Sequence, residues 1–285
     1  MGRGARQWQC VLVAWGEKYT PPEIDLLVGS VLPLAHPPRR VVLLTDRPRP
    51  LVHQAVEQRP IPDWYLTEAF RRGGCQTKLC LFEPGVVPDD MVAVYVDLDT
   101  MILGDLARVL SVWDRPQAVA ILQSAVLPFG RLARVLNRAT RGKVYARGNS
   151  SVVVHHPAHC GYIAAEFRRL HGLHGMAGFR PLIADERFIS WVAQPHMRAV
   201  PNGLVVKFPT EYMMPWKWLV YLRGAAPWIR ARRDRLVAVT FPGLDLKGSD
   251  LAALPDGAVI VDRKGRRLFW TGWAVGRLRD RVIAH

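Results

Sequence analysis

Asp97-Leu98-Asp99 places two carboxylates two residues apart, directly after the apolar run Met91–Val96. Along an extended chain, residues two apart face the same side. Two carboxylates sharing one place repel each other unless a cation lies between them. Oxygen-only donors suit Mg2+ or Mn2+, hard ions that commonly hold a substrate's phosphates as well. The plain alternative is a pair of acids that ends a strand and opens a turn. The long apolar run before the triplet and the apolar Met101-Ile102-Leu103 after it favour the metal reading. His155-His156 invites a similar thought, but neighbouring residues of a strand face opposite ways and do not easily share one ion, so these read as structural. Cys10, Cys75, Cys80 and Cys160 form no C-x-x-C pair and no zinc spacing, and are expected as reduced thiols.

The elements that must position the acids read as α/β. Cys10 to Trp15 is a short continuous apolar run closed by Gly16, as expected of a strand buried on both faces. Pro21-Pro22-Glu23 opens a helix with apolar residues at helical spacing to Leu34, and Val41 to Asp46 is a second buried strand. Strand, helix and strand in so short a span predict a βαβ unit and a mainly parallel sheet. In such a sheet, ligands lie beyond the carboxyl ends of the strands, where Asp97 and Asp99 would fall. Further along, Thr77–Phe82 and Pro181–Val192 read as helices, and Ala118–Leu122, Ser151–His156 and Leu236–Phe241 as strands. Val200–Phe208 reads as extended, and Arg131–Arg147, strongly basic and free of acids, as an exposed helix or mobile loop.

The chain has 285 residues, 49% hydrophobic and 22% charged, a globular composition that excludes wholesale disorder. The net charge of +15 suggests an anionic partner: nucleic acid, a phosphorylated ligand or an acidic membrane. No nucleic-acid motif accompanies the charge, so a sequence-specific nucleic-acid partner is not expected. No apolar run reaches the ~18 residues of a spanning helix, and Met1–Trp8 lacks the apolar core of a signal peptide. Trp216–Arg223 and Arg266–Trp273 interleave aromatics with Arg. That pattern fits a membrane interface, or core tryptophans with snorkelling arginines.

Several blocks, taken in order, carry a family resemblance. Val13-Ala14-Trp15-Gly16-Glu17-Lys18-Tyr19, Thr77-Lys78-Leu79, Val94-Tyr95-Val96-Asp97-Leu98-Asp99-Thr100, Asn149-Ser150-Ser151-Val152 and Asp185-Glu186 together resemble GT-A fold glycosyltransferases. The nearest likeness is to the family 8 group of glycogenin and the bacterial lipooligosaccharide galactosyltransferases. The resemblance implies one GT-A sheet, mixed and mainly parallel, flanked by helices, with a catalytic domain over 1–250 and a basic, aromatic extension over 251–285. It implies transfer of a sugar from a nucleotide-diphosphate donor, UDP-linked, to a hydroxyl of a glycan or glycolipid, as in bacterial cell-surface glycan synthesis. The chain would be cytoplasmic and peripheral on the anionic inner membrane. Asp97 and Asp99 would hold Mn2+ or Mg2+, and Tyr19 would lie against the base. Lys78 would reach a phosphate or the donor sugar, and Lys247 the diphosphate. Asn149 and Ser150 would line the sugar pocket, and Asp185 would contact donor sugar or acceptor hydroxyl. Two departures stand out. Pro242 occupies the place of the family's third metal ligand, a His, with Asp245 as a displaced substitute, and Ser151 replaces a Gly beside the donor sugar. A transferase fold that binds nucleotide without turnover, and a basic nucleic-acid-binding protein, are the alternative readings.

Overall fold

The computed structural model describes residues 7–71, 75–123, 127–241, 248–262 and 264–283. Its strands are β1 (Trp8–Ala14), β2 (Arg40–Thr45), β3 (Val56–Pro60), β4 (Val92–Val96), β5 (Thr100–Ile102), β6 (Val119–Gln123), β7 (Gly148–His155), β8 (Met197–Val200), β9 (Val205–Lys207), β10 (Ala238–Thr240), β11 (Ala258–Val261) and β12 (Arg267–Trp270). Two compact units divide them. Unit 1 comprises residues 1–98 and 107–201, and unit 2 comprises residues 99–106 and 202–285.

Unit 1 is a seven-stranded sheet in the order β3-β2-β1-β4-β7-β6-β8. β3, β2, β1 and β4 run parallel, β7 is antiparallel to both its neighbours, and β8 is parallel to β6. The continuous apolar runs of β1 and β4 are buried at every position, because helices cover the sheet and leave neither face to water. The chain leaves β1 through the helix Pro21–Val31 into β2 on one side, and later returns to place β4 on the other side. The gap between the carboxyl ends of β1 and β4 is therefore the switch point of the sheet, where open α/β sheets form their ligand crevice.

Three elements differ from the sequence reading, each for a local reason. The first helix stops at Val31 rather than Leu34: Leu32 is its C-cap, still donating its N–H to the Val28 carbonyl, and Pro33, which has no N–H, cannot continue the hydrogen-bond ladder. Gln76–Phe82 is a 3-10 helix, entered through Cys75 in the left-handed region at φ 58°. The segment expected as one helix from Pro181 to Val192 is a 3-10 turn, Arg180–Ile183, broken at extended Ala184, then a helix from Asp185 to Val192. Asp185 and Glu186 occupy the first turn of that new helix, where the dipole favours negative charge.

Unit 2 has its own core around Phe208, Tyr212, Phe241, Leu268 and Trp270. Its small sheets are β5-β10-β9 and the β11-β12 hairpin. Leu236–Phe241 of the sequence reading supplies β10, paired antiparallel with β5 and parallel with β9.

Gly148 opens β7 opposite a register shift in β6, between Ile121 and Leu122. A Cβ there would stand 2.2 Å from Ile121 Cδ1 and 2.7 Å from the Leu122 carbonyl oxygen. Gly148→Ala should therefore destabilise unit 1 by about 1–3 kcal/mol, the usual cost of overpacking. Urea unfolding checks this, and an unchanged midpoint would contradict the close packing described.

Candidate functional site

Two clusters of polar side chains sit at the carboxyl edge of β1 and β4. The first holds the turn after β1. Gly16, at φ 63°, donates its N–H to Asp46 Oδ2 at 2.9 Å. Arg49, 6% exposed, ties the turn down. Its guanidinium donates to the carbonyl oxygens of Gly16 (2.9 Å) and Tyr19 (3.0 Å), to Thr45 Oγ1 (3.0 Å) and to Asp46 Oδ1 (3.0 Å). Gln58 of β3 grips the Arg49 backbone from below, accepting from its N–H at 2.9 Å and donating to its carbonyl at 2.8 Å. Arg47 adds a further bond to the Gly16 carbonyl, at 2.8 Å. A guanidinium satisfied this fully while buried fixes backbone geometry, since each bond would be costly to break without replacement. The half-buried ring of Tyr19 carries the Lys18 ammonium 4.9 Å from its centroid.

The second cluster surrounds Lys78. Its ammonium lies 2.7 Å from Asp97 Oδ1 and 3.7 Å from Asp185 Oδ2. Tyr95, on β4, donates its hydroxyl to the same Asp97 oxygen, and Ser150 donates to Asp185 Oδ2 at 2.6 Å. Asp97 is fixed from behind by its own N–H, which donates to the Ser151 carbonyl at 2.8 Å. Asn149 donates to Glu186 Oε2 at 2.9 Å and accepts from the Ser151 N–H at 3.2 Å. A rail of hydrogen bonds beyond them joins Ser190 to the Gly148 N–H and Gln194 to both backbone groups of Ala146. The Lys78 helix, β4, the start of β7 and the helix from Asp185 thus deliver their side chains to one place.

The electrostatics follow from burial. Burial by itself pushes the Lys78 ammonium down, but Asp97, Tyr95 and Asp185 beside it outweigh that and hold it well above its ordinary value. Burial pushes the Asp185 carboxyl up, against the opposing pull of Lys78 and the Ser150 hydroxyl. Burial and the Asp97 charge raise the Tyr95 phenol far above its usual range. Lys78 is therefore a permanent cation, and Tyr95 a permanent donor to Asp97.

The structure brings Lys78, Asp97, Asn149, Ser150 and Asp185 together in unit 1, with Tyr19 on the same sheet edge. Asp99 belongs to unit 2, where its carbonyl accepts from the Phe241 N–H at 2.9 Å. β4 ends at Val96 and β5 begins at Thr100, so Asp97-Leu98-Asp99 is a turn and strand alternation does not orient its carboxylates. Pro242, Asp245 and Lys247 lie outside the described residues. His155 is structural: it is fully buried, its Nε2 is 3.3 Å from the Leu81 carbonyl, and burial lowers its pKa to about 4. Ser151 is buried at 1% exposure. Among the described residues no group of three His, Cys, Asp or Glu side chains is gathered as a metal site. The sequence reading gave no site role to Asp46, Arg49, Tyr95 or Glu186. The first two were reachable, since a parallel β2 must end at the same edge as β1.

No protein-family model matches the chain, and no curated protein matches it in sequence. Solved structures do. The galactosyltransferase LgtC, solved with donor and acceptor sugar analogs, aligns over 97% of this chain and 95% of its own at TM-score 0.58 and 12% identity. The chain has the GT-A glycosyltransferase fold. The bifunctional glycosyltransferase WbbM shares it, over 87% of this chain and 48% of its own, at TM-score 0.55 and 15% identity. The GT-A fold expected from the sequence blocks is thus found in the architecture.

Asp185→Asn tests the electrostatics. An acid whose folded pKa is raised holds its proton more tightly when folded. Its stabilising contribution is present below the unfolded value, near 3.8, and is lost as pH rises through the folded value. The stability of the Asn variant relative to the wild type should therefore climb as pH rises above that unfolded value. Urea unfolding at several pH values checks this; a flat difference would contradict the burial of a charged Asp185.

Proposed function

We propose that the chain transfers a sugar from a nucleotide-diphosphate donor, UDP-linked, to a hydroxyl acceptor. The observation that carries the reading is the Lys78–Asp97–Asp185–Ser150 cluster at the switch point of a GT-A sheet. In this reading the turn clamped by Arg49 presents Tyr19 to the base. Lys78 offers its charge to the diphosphate or to the donor sugar. Asn149 and Ser150 line the sugar pocket, and Asp185 accepts from a sugar or acceptor hydroxyl. Lys247 is assigned to the diphosphate by resemblance alone.

The residues fit a divalent ion in donor type. Lys78 and Tyr95 both bind Oδ1 of Asp97, which leaves Oδ2 as the oxygen a cation would meet. Mg2+ or Mn2+ is commonly held by one or two carboxylates with water and substrate phosphates completing the shell, and here the carboxylates would be Asp97 and Asp99. When bound, the ion would neutralise the departing diphosphate. The protein's own part is to fix the donor and to keep a cation, Lys78, where negative charge develops.

An anionic membrane surface is the proposed setting for a lipid-linked acceptor, with residues 1–250 carrying the chemistry and 251–285 as a basic, aromatic extension packed on them. Trp216, Trp218 and Trp228 are 59%, 61% and 74% exposed, interleaved with Lys217, Arg223 and Arg230. Aromatic rings beside cations suit the interfacial layer of a bilayer. Trp270, a candidate for insertion on its sequence pattern, is wholly buried, so Trp273 alone of that pair is available. Among the described residues no helix is long and apolar enough to cross a membrane.

The test is a panel of UDP-sugars with Mn2+ or Mg2+, read as released UDP with and without glycan acceptors. Turnover with one donor is expected, and Lys78→Met should lower kcat/KM by about 10²–10³, as when a preorganised electrostatic partner is removed. Asp97→Ala should abolish metal-dependent UDP binding in calorimetry while the fold survives. Unchanged UDP affinity in that variant would refute the assignment. UDP binding without release from any donor would point to a nucleotide-binding protein without turnover.

A further inference from the structure

Unit 2 carries a partly open pocket of about 260 Å3, lined by Arg230, Arg233, Arg277 and Arg281 with Asp234 as the one carboxylate among the described lining residues, and with Trp273 on its wall. All of these residues belong to the same unit. The volume falls below the roughly 300–1,000 Å3 of pockets that take drug-sized ligands, and suits a small polyatomic group.

Arg230, Arg233 and Arg281 are held in place by bonds that use only part of their donor capacity. Arg233, 9% exposed, donates through Nε to Glu211 Oε1 at 2.8 Å, through Nη1 to the Ala274 carbonyl at 2.9 Å and through Nη2 to the Glu211 carbonyl at 2.8 Å, which leaves two of its five N–H groups. Arg281 Nη1 donates to the Leu103 carbonyl at 2.9 Å, and Arg230 Nε to the Gly224 carbonyl at 2.5 Å. Arg277 approaches Asp234 only to 3.9 Å. Glu211, the buried counter-charge behind Arg233, is already shared with Arg223 and Arg232, at 3.3 and 2.6 Å. The cluster therefore has more guanidinium than carboxylate, and each planar fork presents N–H pairs that match the oxygens of phosphate.

We propose that this pocket is a binding site for a phosphate-class oxyanion, separate from the Lys78 cluster of unit 1. An aromatic wall bears on what carries the phosphate. The Trp273 ring packs on Tyr221 with centroids 4.8 Å apart, and both side chains are about 40% exposed. A phosphate joined to an apolar tail would place the anion among the arginines and the tail along these rings. The same chemistry is offered by a free phosphate or diphosphate.

The experiment is calorimetric titration of the full chain with sodium diphosphate. It is paired with sedimentation on phosphatidylcholine vesicles containing phosphatidic acid or, at equal surface charge, phosphatidylglycerol. The Arg277→Gln/Arg281→Gln variant should bind diphosphate at least about ten-fold more weakly. Arg277→Gln alone should weaken it measurably, and this side chain is 71% exposed and not needed for folding. Arg39→Gln/Arg71→Gln, which removes the same charge from exposed positions of unit 1, should bind as the wild type does. A preference for phosphatidic acid that the double variant loses would identify a lipid phosphomonoester. Diphosphate binding that the double variant weakens, without a vesicle preference, would identify a soluble anion; both outcomes support the site. Equal diphosphate affinity in wild type and double variant would overturn it, as would binding that only Lys78→Met removes. UDP affinity in the double variant is expected to stay unchanged, so failure here leaves the transferase reading standing.

Discussion

An ammonium held between two carboxylates organises the carboxyl edge of the central sheet. Lys78 reaches Asp97 at 2.7 Å and Asp185 at 3.7 Å from a 3-10 helix buried along its whole length. Isolated in that setting, any one of the three charges would be expensive, and removing one partner of a buried pair typically costs about 3–5 kcal/mol. Together they constrain three separate segments: the Lys78 helix, the end of β4, and the helix that starts at Asp185. Ser150 and Tyr95 add hydroxyl donors to the two carboxylates, so β7 and β4 are bound into the same arrangement. The cost of this polarity in a buried place is one reason to read it as a site: only apolar residues in place of all three charged groups together would bury no charge.

The opposite half of the edge is built from a second buried cation. Arg49 spends its guanidinium on the backbone of the β1 turn and on Asp46, whereas Lys78 spends its ammonium on side chains. The first fixes main-chain shape; the second leaves a point charge that can exchange partners. Lysine, compact and with three rotatable donors, suits the second role, and the planar fork of arginine suits the first.

Much of this was legible in the sequence where burial writes a continuous apolar run. β1, β2 and β4 are such runs, and the βαβ reading through the helix Pro21–Val31 follows from them. The resemblance of ordered blocks placed Lys78, Asp97, Asn149, Ser150 and Asp185, which the fold gathers. What was not legible depends on contacts distant in sequence. Arg49 looks like any arginine in a Pro-flanked loop until Gly16, Tyr19 and Gln58 close round it. The Asp97-Leu98-Asp99 triplet reads as extended because its neighbours are apolar, yet the chain turns there and β5 joins β10 in unit 2. Trp216, Trp218 and Trp228 are exposed while Trp270 is core, and composition alone gives all four the same appearance.

The central claim is that the edge between β1 and β4 receives the diphosphate of a nucleotide donor. A crystal structure of the chain soaked with UDP and Mn2+ tests it most directly. The account predicts the base against Tyr19 and a diphosphate oxygen within hydrogen-bonding distance of Lys78 Nζ. UDP bound elsewhere, with the Lys78–Asp97 pair undisturbed and the edge empty, would contradict it.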